Sequence, residues 1–144
     1  MLYLGADHNG YFLKERLKYH LARLRVRFFD CGARALKQGD DYVDFSNAVT
    51  AKIDRGDYGI LVCGSGHGMV IAANKIPGIR AIMPLDPRSA RFGRHDDHAN
   101  VLVLAAWQMN LDAAKKIVRV FLTTKTGRAQ RYIRRLNKIR KLEQ

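Results

Sequence analysis

Apolar residues recur along this chain in two alternating rhythms. Short apolar runs bounded by glycine or polar residues read as strands. They are Leu2–Gly5, Val26–Cys31, the run that Asp57 leads into and Cys63 ends, Ile79–Met83 and Asn100–Leu104. Between them the apolar positions take helical spacing. Phe12, Leu13, Leu17, Leu21 and Leu24 form one stripe, with Lys14, Arg16, Lys18 and Arg23 facing outward. Phe45, Val49 and Ile53 share a face over Tyr42–Ile53. A third helix stops near Pro77-Gly78, and Pro87 suits the first turn of a fourth, running to about Arg94. Ile117, Val118 and Phe121 stripe Asp112–Leu122, and Ile133, Leu136 and Ile139 stripe a last helix from about Arg128. Strict alternation of strand and helix predicts an α/β fold, a three-layer α/β/α arrangement around a five-stranded parallel sheet. With no internal repeat, low-complexity tract or composition break, residues 1–144 read as one domain. The last helix follows the final βα unit yet carries its own apolar stripe, so it is expected to pack on a partner subunit.

The chemistry concentrates between Gly59 and Lys75. An apolar run ends in Cys63, and Gly64, Gly66 and Gly68 follow at alternate positions before a second apolar run. Glycine lets a backbone turn sharply and approach a ligand closely. The first amides of the following helix are left unpaired at the carboxyl end of the strand, where anions bind and where open α/β sheets hold ligands. Ser65 lies inside this cradle and Cys63 at its lip. The same field is expected to lower the pKa of the Cys63 thiol and make it a base or nucleophile. A cysteine closing a strand also serves as apolar filler, and that reading stays open.

Composition narrows the partners. The net charge is +13, from 26 Lys+Arg against 13 Asp+Glu, which suits phosphorylated substrates or polyanions. Much of the excess sits in the tail after Lys125, on a helix with an apolar stripe and no aromatic platform. That pattern favours a solvated helix face over nucleic-acid binding. No apolar run is long enough to span a bilayer, and the first residues lack the form of a signal peptide. Two cysteines, Cys31 and Cys63, suit free thiols in a cytoplasmic protein. Asp7 and His8 follow the first strand, as a helix cap or as functional groups. His95-Asp96-Asp97-His98 precedes the fifth strand, so it lies at the opposite sheet edge or reaches a partner's site. A metal there would need a third contributor, and none is expected.

Five segments in order resemble the ribose-5-phosphate isomerase B family, which includes the galactose-6-phosphate isomerase subunits. They are Asp7-His8-Asn9-Gly10 with Leu13-Lys14; Asp41-Tyr42-Val43-Asp44-Phe45; Cys63-Gly64-Ser65-Gly66 with Ile71–Lys75 and Gly78–Ala81; Asn100-Val101-Leu102; and Arg131 with Arg135. The resemblance implies a Rossmann-like fold and an aldose–ketose phosphate isomerase working through a cis-enediolate, without metal or organic cofactor. It implies Cys63 as base, Ser65 in a place usually held by threonine, and the amides of Gly64, Gly66 and Gly68 around the enediolate. Asp7 would hold the ring-oxygen region, His8 would lie near the phosphate, and Tyr42 would line the pocket. Arg131 and Arg135, one turn apart, would clamp the phosphate, in a homodimer or dimer of dimers with sites between subunits. Two positions depart from the family. Asp96 stands where it usually has a ring-opening histidine, leaving Asp96 or His98 for that task, with Asp97 beside them. Trp107 stands where it often has an arginine for the partner's phosphate. These departures keep a second reading in play: a non-catalytic or hetero-oligomeric relative that binds sugar phosphate.

Overall fold

The computed structural model describes residues 1–143. The chain runs β1 (Leu2–Ala6), α1 (Tyr11–Arg23), β2 (Phe28–Asp30), α2 (Tyr42–Thr50), β3 (Tyr58–Cys63), α3 (His67–Ala73), β4 (Ala81–Ile82), α4 (Pro87–Asp96), β5 (Val101–Ala105), α5 (Leu111–Thr123) and α6 (Gln130–Lys141). The strands form one parallel sheet in the order β2-β1-β3-β5-β4. Alternate residues of each strand enter opposite layers, as the pleat requires. Ile60 and Val62 join Leu2, Leu4, Leu102, Leu104, Ile117 and Phe121 in the core that includes α1 and α5. Leu61 and Cys63 join Val49, Met69, Ala73, Val101 and Val103 in the core that includes α2 and α3. This is the expected three-layer α/β fold.

Several elements differ from the sequence reading. β2 and β4 are shorter than the apolar runs that predict them, with three and two residues. They are the two edge strands, each with one neighbour to pair with. Residue Arg25, at φ 56°, turns the chain before β2. In α1, Leu17 and Leu21 are buried, but Phe12 and Leu24 are exposed. Lys14, expected to face water, is 1% exposed. Its ammonium lies 2.9 and 2.8 Å from the two oxygens of Asp30 and 2.7 Å from Glu15. A buried ammonium is tolerated because carboxylates on β2 and α1 share its charge. In α6, Tyr132 and Leu136 are buried, while Ile133 and Ile139 are 41% and 38% exposed. Two of the three residues of the predicted stripe are therefore uncovered within one chain.

The ends of the parallel strands divide the molecule. The carboxyl edge gathers the segments after β1, β3 and β5. The amino edge gathers the turn between α4 and β5, and α6 is tied to it at both ends. His95 O accepts from Gly127 N–H, the His95 ring meets Tyr132 edge-on at 5.4 Å, and Glu143 accepts from Gly78 N–H at 3.0 Å.

Candidate active site

Strand register builds the centre of the site. Ala6 is paired with Val62 across β1 and β3, so the next residue of each strand, Asp7 and Cys63, sits side by side. The Cys63 thiol donates to Asp7 Oδ2 at 3.0 Å, and Asp7 Oδ1 accepts from Gly10 N–H at 2.9 Å. Asp7 is 3% exposed and Cys63 7%. Asp7 therefore organises the turn into α1 and also touches the thiol. Gly10, not Asp7, is the residue that opens the helix. A side chain at Gly10 would fall 2.1 Å from Val62 O, because α1 starts directly against the end of β3.

The cradle after Cys63 is closed from several sides. Gly66 adopts φ +82°, a left-handed conformation that favours glycine, and opens α3. A β-carbon at Gly64 would lie 2.5 Å from the Trp107 ring, and one at Gly68 would lie 2.5 Å from the Tyr42 ring. Tyr42 and Trp107 thus lean over the two ends of the glycine turn, each with a largely exposed outer face. Ser65 is partly exposed between them.

The expected lowering of the Cys63 pKa is corrected by this geometry. Burial, and then the hydrogen bond to the Asp7 carboxylate, push the thiol up to about 11. The N–H groups of Gly66 and Gly64 pull the other way without prevailing. A helix-terminus argument considers only that pull. The thiol sits in an apolar layer beside a carboxylate, and both conditions disfavour a second negative charge.

His8 follows Asp7 and is held by Asp40, which accepts from the His8 backbone N–H at 2.9 Å and lies 2.7 Å from Nδ1. Nothing in the polar loop from Ala33 to Asp41 marks this contact in the sequence. It joins residues 32 apart. Asp41, next in line, caps α2 through Val43 N–H.

The remaining candidates lie elsewhere in the chain. His95 and Asp96 belong to the last turn of α4 rather than to a loop. Their side chains meet each other at 2.6 Å, and His95 holds the Asp96 carboxyl below the usual carboxylate range. Asp97 is exposed at the helix end. His98 takes φ 51° and bonds Gly127 O through Nε2 at 2.8 Å. Arg131 stacks 4.6 Å above the Tyr132 ring, next to His95, and Arg135 is exposed one turn on. This second cluster occupies the amino edge, so a chain does not bring it to its own Cys63. A cleft of about 810 Å³ also lies at that edge, among Arg80, Arg94, His98 and Arg140. No group of three or more His, Cys, Asp or Glu side chains placed to hold a metal ion occurs among the described residues. No described helix is long and apolar enough to cross a membrane.

Comparison with known proteins gives one answer. The family profile described as Ribose/Galactose Isomerase matches residues 2–139. Ribose-5-phosphate isomerase B of Mycobacterium tuberculosis is 38% identical over 138 residues, covering 94% of this chain and 85% of that protein. The structure of ribose-5-phosphate isomerase B from Mycoplasma genitalium with bound ribulose-5-phosphate superposes with a TM-score of 0.93 at 34% identity, covering 99% of this chain and 95% of that one. That of the Clostridium thermocellum enzyme gives a TM-score of 0.93 at 35% identity, with 99% and 96% covered. A matched profile spanning nearly the whole chain, with relatives similar from end to end, shows that the chain belongs to the ribose/galactose isomerase family.

Proposed function

We propose that this protein interconverts ribose 5-phosphate and ribulose 5-phosphate through a cis-enediolate, with Cys63 moving the proton between C2 and C1. The observation that carries the reading is the Asp7–Cys63 contact at the lip of the glycine cradle. The family relatives, one of them with ribulose-5-phosphate bound, support the substrate class. With a pKa near 11, the thiol keeps its proton in the free protein. Asp7, 3.0 Å from the sulfur, takes that proton when substrate arrives. The thiolate then removes the C2 proton of the open-chain aldose, and the carbonyl oxygen at C1 takes the electron pair. The N–H groups of the Gly64–Gly68 turn, with Ser65, stabilise the resulting oxyanion. Cys63 returns its proton to C1, a proton passes from the C2 oxygen to the C1 oxygen, and the ketose forms. His8 serves the phosphate and Tyr42 closes the pocket.

The amino-edge cluster completes the site from a second copy of the chain. Arg131 and Arg135 of one subunit clamp the phosphate held over Cys63 of the other, and Asp96, Asp97 or His98 serve the sugar ring. The support is the separation of the two half-sites within one chain and the exposed Ile133 and Ile139 on α6. The working form is a homodimer, with pairing into a dimer of dimers open to the same test by light scattering. A base that must remain a free thiol suits the reducing cytoplasm.

The test is turnover of ribose 5-phosphate by the purified protein. Cys63→Ala should abolish it while the fold is retained. A second reading, a sugar-phosphate binder without turnover, draws on Asp96 and Trp107 at positions where the family usually places other groups. Binding of ribose 5-phosphate with no ribulose 5-phosphate formed would establish that reading instead.

A further inference from the structure

The loop between β2 and α2 is exposed from Arg34 to Gly39, yet Asp40 turns back into the protein with its side chain only 8% exposed. Both of its hydrogen bonds use one oxygen. Oδ1 takes the His8 backbone N–H and faces His8 Nδ1 at 2.7 Å. Oδ2 is buried and has no partner among the described residues. A buried carboxylate with an unpaired oxygen costs stability rather than adding it. Fold stability therefore gives no reason for a carboxylate at this point, whereas the imidazole beside it does.

An ionised carboxylate accepts hydrogen bonds and donates none. Nδ1 of His8 must then carry a hydrogen, which leaves Nε2 as the nitrogen free to act. In the neutral ring Nε2 is an acceptor, and here the Asn9 amide lies 3.1 Å from it. In the charged ring Nε2 is a donor suited to an oxyanion, with Asp40 balancing the charge from behind. The other nearby acid, Asp7, already accepts from Cys63 and Gly10. Asp40 is thus the carboxylate that sets this ring.

We propose that Asp40 is a positioning residue: it holds His8 as the Nδ1–H form and presents Nε2 to the phosphate of the sugar substrate. The kinetic consequence rests on the isomerase reading. The tautomer does not, so the two can fail separately.

The experiment combines nitrogen-15 NMR of the His8 ring with steady-state kinetics in the wild-type protein, Asp40→Asn, His8→Asn and the double variant. In the wild type, His8 should show a single Nδ1–H form. Finding the Nε2–H form there overturns the proposal without any variant, and holds even if Asp40→Asn fails to fold. In Asp40→Asn the ring should become a mixture of forms. KM for ribose 5-phosphate should rise about tenfold with kcat within about twofold, the scale of losing one charge-assisted partner. Adding Asp40→Asn to His8→Asn should raise KM no further, because no ring is left to orient. A purely structural Asp40 would lower the melting temperature but leave the His8 spectrum and KM unchanged, and that result overturns the proposal. So would an altered spectrum with unaltered KM. If the protein has no turnover, titration with inorganic phosphate replaces KM. Weaker phosphate binding in Asp40→Asn supports the assignment, and equal binding overturns it.

Discussion

Asp7→Asn separates the reactivity of Cys63 from its usefulness. The substitution keeps the size of the side chain and an oxygen able to accept from Gly10 N–H, so the start of α1 should survive. It removes the negative charge 3.0 Å from the thiol. The thiol stands at about 11 against an ordinary 9.0, with burial the larger cause and Asp7 the second. Removing Asp7 leaves the burial in place, so the pKa should fall by about one pH unit and stay above its ordinary value. Alkylation follows the thiolate fraction, which grows tenfold for each unit by which the pKa falls toward the working pH. At pH 8, iodoacetamide should therefore modify Cys63 about tenfold faster in Asp7→Asn than in the wild type. Cys31, elsewhere in the structure and half-buried, serves as the internal control when both peptides are followed by mass spectrometry. Isomerase turnover should move the opposite way, falling by about 10²–10⁴, because the proposed acceptor of the thiol proton is gone. A more reactive cysteine in a slower enzyme is the signature. Alkylation that is unchanged or slower would show that Asp7 does not restrain the thiol, and the proposed proton transfer would fall with it.

Arg131→Gln and Arg135→Gln should each weaken sugar-phosphate binding by about 1–3 kcal/mol, as measured by titration calorimetry, with the fold unchanged since both side chains are exposed. If the protein is a dimer through α6, Ile133→Asp with Ile139→Asp should leave only monomers by light scattering and remove turnover. Asp96→Asn and His98→Ala should slow a cyclic sugar phosphate but spare a four-carbon aldose phosphate that is already open; equal rates on both would remove this segment from catalysis. The sign for Asp96 follows from His95, which lowers its pKa. Its carboxylate persists to lower pH than usual, so an acidic limb that depends on Asp96 as base should lie below the ordinary carboxylate range.

What the sequence makes legible is local. The strand ending at Cys63, the glycines after it and Pro87 at the start of α4 are read from neighbouring residues, and all are where the spacing puts them. The misreadings come from contacts between distant segments. Cys63 meets Asp7 across 56 residues, and that contact with burial reverses the sign of its pKa shift. Asp40 meets His8 across a polar loop without periodicity. Lys14 is charged and so reads as surface, yet its ammonium finds Asp30 on another element and sinks to 1% exposure. The position of His95 to His98 follows from chain direction alone: α4 carries the chain back to the amino edge before β5 begins. Sequence order shows this much, but not which copy of the chain the segment serves.

The division of functional groups between opposite edges of one sheet has a genetic consequence. If the half-sites meet across a dimer, a protomer lacking Cys63 and one lacking Arg131 and Arg135 are each inactive alone. Paired, they place an intact Cys63 opposite intact arginines in one of the two sites, while the other site carries both defects. Mixing equal amounts under conditions that allow subunit exchange would restore about one quarter of the wild-type sites, since half the dimers are mixed and each has one good site. Two damaged alleles in one cell would then complement each other. A selection for growth on a pentose could therefore recover pairs of lesions that kill the enzyme singly.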